Sequence, residues 1–181
     1  MNVFALRSDC NRYQNLVFTS EEDWAILHQF DEGRLIQSWT PPFVEVLRDD
    51  KFNRNLPPSD FPHLAVAVPV FSLRALNVLR GMIEENGEIL PLSCTEGEYY
   101  VFNVTTFTDA LDESLSGVKR FKDGGVMRVL KYAFFGDRLC RATIFKIPQF
   151  PRSEVYVTDK FRNLAIDNGL LGFKFINLWE G

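Results

Sequence analysis

The stretch from Leu64 to Val104, LAVAVPVFSLRALNVLRGMIEENGEILPLSCTEGEYYVFNV, constrains the fold more than any other part of the chain. It opens with an apolar run from Leu64 to Phe71, which predicts a strand covered on both faces. Pro69 has no backbone N–H, so this strand is expected at a sheet edge or beside a bulge. Ser72 is placed to cap a helix, because its hydroxyl can accept from an unpaired first-turn N–H. Beyond it, Ala75, Leu76, Leu79, Met82 and Ile83 recur at helical spacing, while Arg74, Asn77, Arg80 and Glu84 lie mostly off that face. Asn86-Gly87 ends the helix, since both residues tolerate the left-handed backbone of a C-terminal cap. A strand through Ile89, Leu90 and Leu92, a turn at Glu96-Gly97 and a strand from Tyr99 to Val104 complete the stretch.

A similar grammar returns near the C-terminus. Val155 to Val157 reads as a short strand, and Thr158 as the cap of a helix bearing Phe161, Leu164, Ala165 and Ile166. Asn168-Gly169 ends that helix, and Leu171 to Leu178 forms a last strand. The two segments match in order of elements and not residue by residue, which an old duplication or a shared capping pattern would each produce. Elsewhere Val3–Arg7, Leu16–Thr19 and Phe43–Leu47 read as strands. Ser20 to Asp23 resembles a helix start with acidic first-turn residues, its apolar face being Trp24, Leu27 and Phe30. Asp49 to Pro62, polar and with three prolines, reads as a loop. Thr108 to Glu113 predicts a capped helical turn and Asp123-Gly124-Gly125 a tight turn. Val126–Phe135 and Leu139–Ile147 read as a hairpin closed by Gly136-Asp137. With 17 phenylalanines in 181 residues, aromatic content favours strands and a large core. The expectation is one α+β domain over residues 1–181, mainly antiparallel or mixed β-sheet, with about three to four helices.

Chemistry-bearing patterns are sparse. The two histidines, His28 and His63, are isolated, and the three cysteines, Cys10, Cys94 and Cys140, are far apart, so no metal site or disulfide framework is expected. Cys140 falls in an apolar stretch, where a buried, inert thiol is expected. Ser72 lacks the flanking glycines of a nucleophile elbow, and no glycine-rich phosphate loop occurs. No cofactor is implied. Asp109, Asp112 and Glu113, spaced i, i+3 and i+4, would share a helix face. The formal charge of −4 disfavours general nucleic-acid binding. It is uneven, however: Val118 to Arg162 holds eleven basic and four acidic residues, or +7, leaving −11 on the rest. Arg128, Lys131, Arg141 and Lys146 from this segment are expected to disperse over two strands, without the aromatic platform of a single-strand binder. No signal peptide or membrane-spanning run is evident, so a cytoplasmic location is expected.

Three blocks carry a family resemblance. The first is Val70-Phe71-Ser72 with Ala75, Leu76 and Leu79. The second is Glu88-Ile89-Leu90-Pro91-Leu92 with Tyr99-Tyr100-Val101-Phe102-Asn103-Val104 and Asp109-Ala110-Leu111-Asp112. The third joins Val157-Thr158-Asp159-Lys160-Phe161 to Gly169-Leu170-Leu171-Gly172-Phe173-Lys174-Phe175 and Trp179. Together they resemble the immunity protein eleven family of bacterial polymorphic toxin systems, from about Trp39 to Trp179. The resemblance divides the chain into N-terminal strands and helix, 1–40, and a family core, 41–181. It implies a non-enzymatic cytoplasmic antidote whose partner is one cognate toxin domain, with no catalytic residues to carry over. On that basis Asp109, Asp112 and Glu113 are candidate partner-binding residues, facing a basic toxin site. Two other readings stay open: a small-molecule-binding protein or enzyme with a pocket between helix and sheet, and a nucleic-acid binder using residues 118–162.

Overall fold

In the computed structural model, Ser72 accepts the Ala75 N–H at 3.1 Å and starts α1 (Leu73–Ile83), as its position requires. The structure describes residues 1–30, 33–48, 56–152 and 154–181, and the side chains of these except 27–29. The strands are β1 (Asn2–Ser8), β2 (Leu16–Phe18), β3 (Val44–Val46), β4 (Val70–Ser72), β5 (Gly87–Pro91), β6 (Tyr99–Val104), β7 (Gly117–Arg120), β8 (Val126–Lys131), β9 (Ile144–Phe145), β10 (Tyr156–Thr158) and β11 (Phe173–Glu180). A second helix, α2, spans Asp159–Asp167.

The architecture is built from two units of the same topology. Helix α1 connects β4 to β5, which lie on either side of β6 and antiparallel to it. Helix α2 connects β10 to β11, which flank β1 in the same way. The middle strand thus follows the helix in one unit and comes from the start of the chain in the other. The echo seen in the sequence is one of topology.

Alternation along the strands builds the core. Phe4, Leu6 and Val157 from one sheet, and Phe71, Phe102 and Val104 from the other, join Ala75, Leu76, Leu79, Phe161 and Ala165 of the helices in one cluster. The helices pack directly against each other. Phe71 is the hub, its ring 5.4 Å from Phe61, 6.1 Å from Phe102, 6.4 Å from Phe161 and 6.2 Å from Phe173. The opposite faces are covered differently. Val70, Leu90 and Val101 pack under the β2–β3 pair. Val3, Phe145 and Tyr156 pack under Leu111, Phe134 and Leu139.

Several expectations are corrected. Among the described residues there are two α-helices, where three to four were expected. The segment after Ser20 is a 3-10 helix, Glu22–Gln29, with Phe30 buried and Trp24 exposed; the Leu27 and His28 side chains lie outside the described residues. The Leu64–Phe71 run enters a sheet only at Val70. Before that, Ala65 and Val68 bridge across a tight turn in which Ala67 has φ of 58°. Gly87 is extended, with φ of 175°, so it is no left-handed cap. It is small because a Cβ there would lie 2.2 Å from the Asn103 carbonyl oxygen. Thr158 stands at the N-cap of α2, yet its hydroxyl donates to the Ala142 carbonyl at 2.9 Å. Gly169, by contrast, ends α2 with φ of 61°. Ile166 is exposed, off the buried face of α2.

The largest correction concerns the hairpin. β8 pairs with β7, and β9 pairs with β10, so Val126–Phe135 and Leu139–Ile147 do not face each other. Gly136–Leu139 is a 3-10 turn that leaves Cys140 exposed. Of the expected Asp49–Pro62 loop, residues 49–55 lie outside the described residues. The remainder is drawn inward: Ser59, Asp60 and Phe61 are buried.

Candidate functional site

The outer face of the β1–β11 pair is not fully covered. Inward-pointing Phe4, Leu6, Phe173 and Phe175 leave Ala5, Arg7, Ile176 and Leu178 on the other side. These form the floor of a cleft of about 750 Å³. One wall is β8 and the residue after it: all six residues from Met127 to Tyr132 line the cleft. A strand sends successive side chains to opposite faces, so an unbroken lining run places the strand's backbone edge along the cleft. The other wall is Phe150, Arg152 and Glu154, and Val66 from the tight turn stands at the rim.

Among the described residues the lining contains four cationic side chains, Arg7, Arg128, Lys131 and Arg152, and one carboxylate, Glu154. Arg7 forms an ion pair with Glu154. Glu154 Oε2 is buried and accepts no hydrogen bond among the described residues. Burial raises the Glu154 pKa, with Arg7 opposing the shift. Arg128 and Lys131 are exposed, and neither makes an ion pair among the described residues. Behind them Tyr132 stacks on Phe134, and its hydroxyl lies 3.4 Å from that of Tyr156. Burial raises both phenols, so both stay neutral. Around this charged lining stand large exposed apolar groups: Leu130 is 65% exposed, Val66 62%, and Ile176 and Met127 less so. Such a surface can hold an anionic, partly apolar chain segment.

The model of the immunity protein family Imm11 matches residues 11–179. The chain belongs to the Imm11 immunity protein family. The match begins well before Trp39, the start of the resemblance carried by the sequence blocks, so most of the first forty residues fall within it. No curated protein matches the chain.

In this Imm11 protein the expected acidic residues do not share a helix face, because residues 108–113 form no helix. Asp109 is exposed, accepts from Gln149 Nε2 at 2.9 Å and faces Arg138. Asp112 is 8% exposed. Its carboxylate caps a turn, accepting from the Ser114 hydroxyl at 2.5 Å, the Ser114 N–H at 3.0 Å and the Leu115 N–H at 3.3 Å. The Ser114 hydroxyl is the main cause of its lowered pKa. Glu113 pairs with Arg120 of β7. The basic residues also separate. Arg128 and Lys131 reach the cleft, and Arg141 lies beside α1 near Met82. Lys146 is 3% exposed and donates to the Phe30 carbonyl at 3.1 Å. Among the described residues no group of three His, Cys, Asp or Glu side chains could hold a metal ion, and no helix is long and apolar enough to cross a membrane. Sequence reasoning missed Arg7, Val66, Arg152 and Ile176 as neighbours; the only pointer was the basic excess of residues 118–162.

Proposed function

We propose that this Imm11 protein is a non-enzymatic antitoxin that binds and neutralises one cognate secreted toxin acting in the cytoplasm. The family match over residues 11–179 carries this reading. The fold supports it, since the space between helices and sheets is filled with aromatic side chains and the large cleft lies on an outer surface. The cleft's volume of about 750 Å³ also lies in the small-molecule range, which favours a ligand-binding protein as the second reading. Asp109, Asp112 and Glu113 are proposed as a secondary partner contact, with Asp109 and Glu113 the more accessible of the three.

Co-expression with the toxic product of the neighbouring gene tests the reading. Restored growth together with a stable purified complex is expected. Loss of both, with toxin and antidote each expressed, would overturn it, and a thermal-shift ligand screen would then test the second reading.

A further inference from the structure

We propose that the cleft beside β8 is the toxin-docking site, and that it takes an extended acidic segment of the toxin laid along the free edge of β8. This inference rests on the antitoxin reading and adds the place and chemistry of the contact.

Three observations converge. First, Arg128 and Lys131 in the lining are exposed and make no ion pair among the described residues, while the carboxylate of Glu154 is already paired with Arg7. The site therefore favours a partner bearing negative charge. Second, among the described residues β8 pairs through one edge, with β7, in a sheet of two strands. Its other edge offers backbone donors and acceptors, the requirement for strand addition by an incoming chain. Six residues of extended strand span roughly 20 Å, which sets the length of the segment at about six residues.

Third, the exposed groups do not fit an edge that is merely protected from association. Protective edges carry charges, and Lys119, Lys122, Arg128 and Lys131 alone would satisfy that description. This hairpin also exposes Phe121, Met127 and Leu130, and Val66 and Ile176 line the cleft together with Met127 and Leu130. Aromatic residues, Met and Arg are enriched at protein interfaces, and Phe121, Met127 and Arg128 are of these types. A nucleic acid would match the cations but not the apolar rim or the strand edge.

The test uses purified full-length protein and its cognate toxin domain. Arg128→Glu combined with Lys131→Glu reverses two exposed charges without touching the core. Its association rate with toxin is expected to fall by about 10- to 100-fold, with a flatter salt dependence. Leu130→Ser is expected to speed dissociation severalfold, and both variants should lose growth rescue while keeping the wild-type melting temperature. Wild-type affinity and rescue in both variants would overturn the docking site while leaving the antitoxin reading intact. Failure of the wild-type protein itself to bind or rescue would remove the reading beneath it. Loss of oligonucleotide binding in the charge-reversed protein, with toxin binding unchanged, would assign the cleft to nucleic acid and overturn the proposal.

Discussion

Asp60 shows how one buried carboxylate can join the two halves of the fold. It accepts from the Ser72 hydroxyl and from the Leu171 N–H, each at 2.8 Å, and pairs with Arg74. Arg74 in turn donates to the carbonyls of Asn168 and Gly169, at 3.0 and 3.1 Å, where α2 ends. The start of one helix is thereby fixed to the end of the other. Removing the carboxylate leaves several donors without their acceptor, so Asp60→Ala should cost about 3 kcal/mol. Urea denaturation would measure this, and a change below about 0.5 kcal/mol, the usual range of inconsequential surface substitutions, would refute the bridging role. Glu88 works alike on the other side of the sheet, accepting from the Leu35 N–H at 2.7 Å and from Asn103 at 3.0 Å. Neither role is visible in sequence, because an acidic residue in a polar loop or at a strand start looks like solvated surface until its donors are brought in from distant parts of the chain.

Among the elements, the turn before β4 departs furthest from its sequence pattern. Its apolar run invites a strand, but Ala67 at φ of 58° reverses the chain and sets Val66 at the cleft rim. Left-handed backbone costs an alanine roughly 1 kcal/mol. Ala67→Gly should therefore raise stability by about 0.5 kcal/mol, the relief of strain exceeding the added freedom of the unfolded chain. Thermal denaturation would check the sign, and a lowered melting temperature would argue against strain at this turn. α1 is the contrasting case. Its cap, its apolar stripe and its length all lie within a dozen residues of sequence, and the structure reproduces them. β8 shows the opposite limit: its composition gave the strand, while its pairing with β7 depended on residues upstream.

Over the whole molecule, charge should make stability fall on acidification. Burial, and secondarily Arg7, lowers the His63 pKa from its ordinary 6.5. The folded state binds that proton less readily than the unfolded chain, so stability is complete above 6.5 and is lost as pH falls toward the lowered value. Asp112 adds a second loss on further acidification, below its ordinary 3.8, as pH falls through its lowered folded pKa. Glu154 has the opposite sign, since its raised pKa costs stability as pH rises through 4.5 toward the folded value. Melting temperatures between pH 7 and 5 should therefore fall, and His63→Gln should flatten the decline. An unaltered slope in that variant would mean that His63 is not its source.

Features with local causes follow from the residues alone: the Ser72 cap, the stripe on α1, the left-handed stop at Gly169, the turn at Gly124, and the strands β5 and β6 with the family blocks they carry. Tertiary structure alone decided which strands pair. It set β1 between β10 and β11, gave β8 to β7 and β9 to β10, and kept 108–113 from becoming a helix by drawing Asp112 into its turn. The cleft belongs to the same class, since its lining joins Ala5 and Arg7 to Val66, to Met127–Tyr132, to Phe150, Arg152 and Glu154, and to Ile176–Leu178. Propensity acts over a few residues and does not choose among neighbouring strands, as at β7–β8 and β9–β10. The pairing of β1 depends on surfaces that meet only after the chain has closed loops of more than a hundred residues.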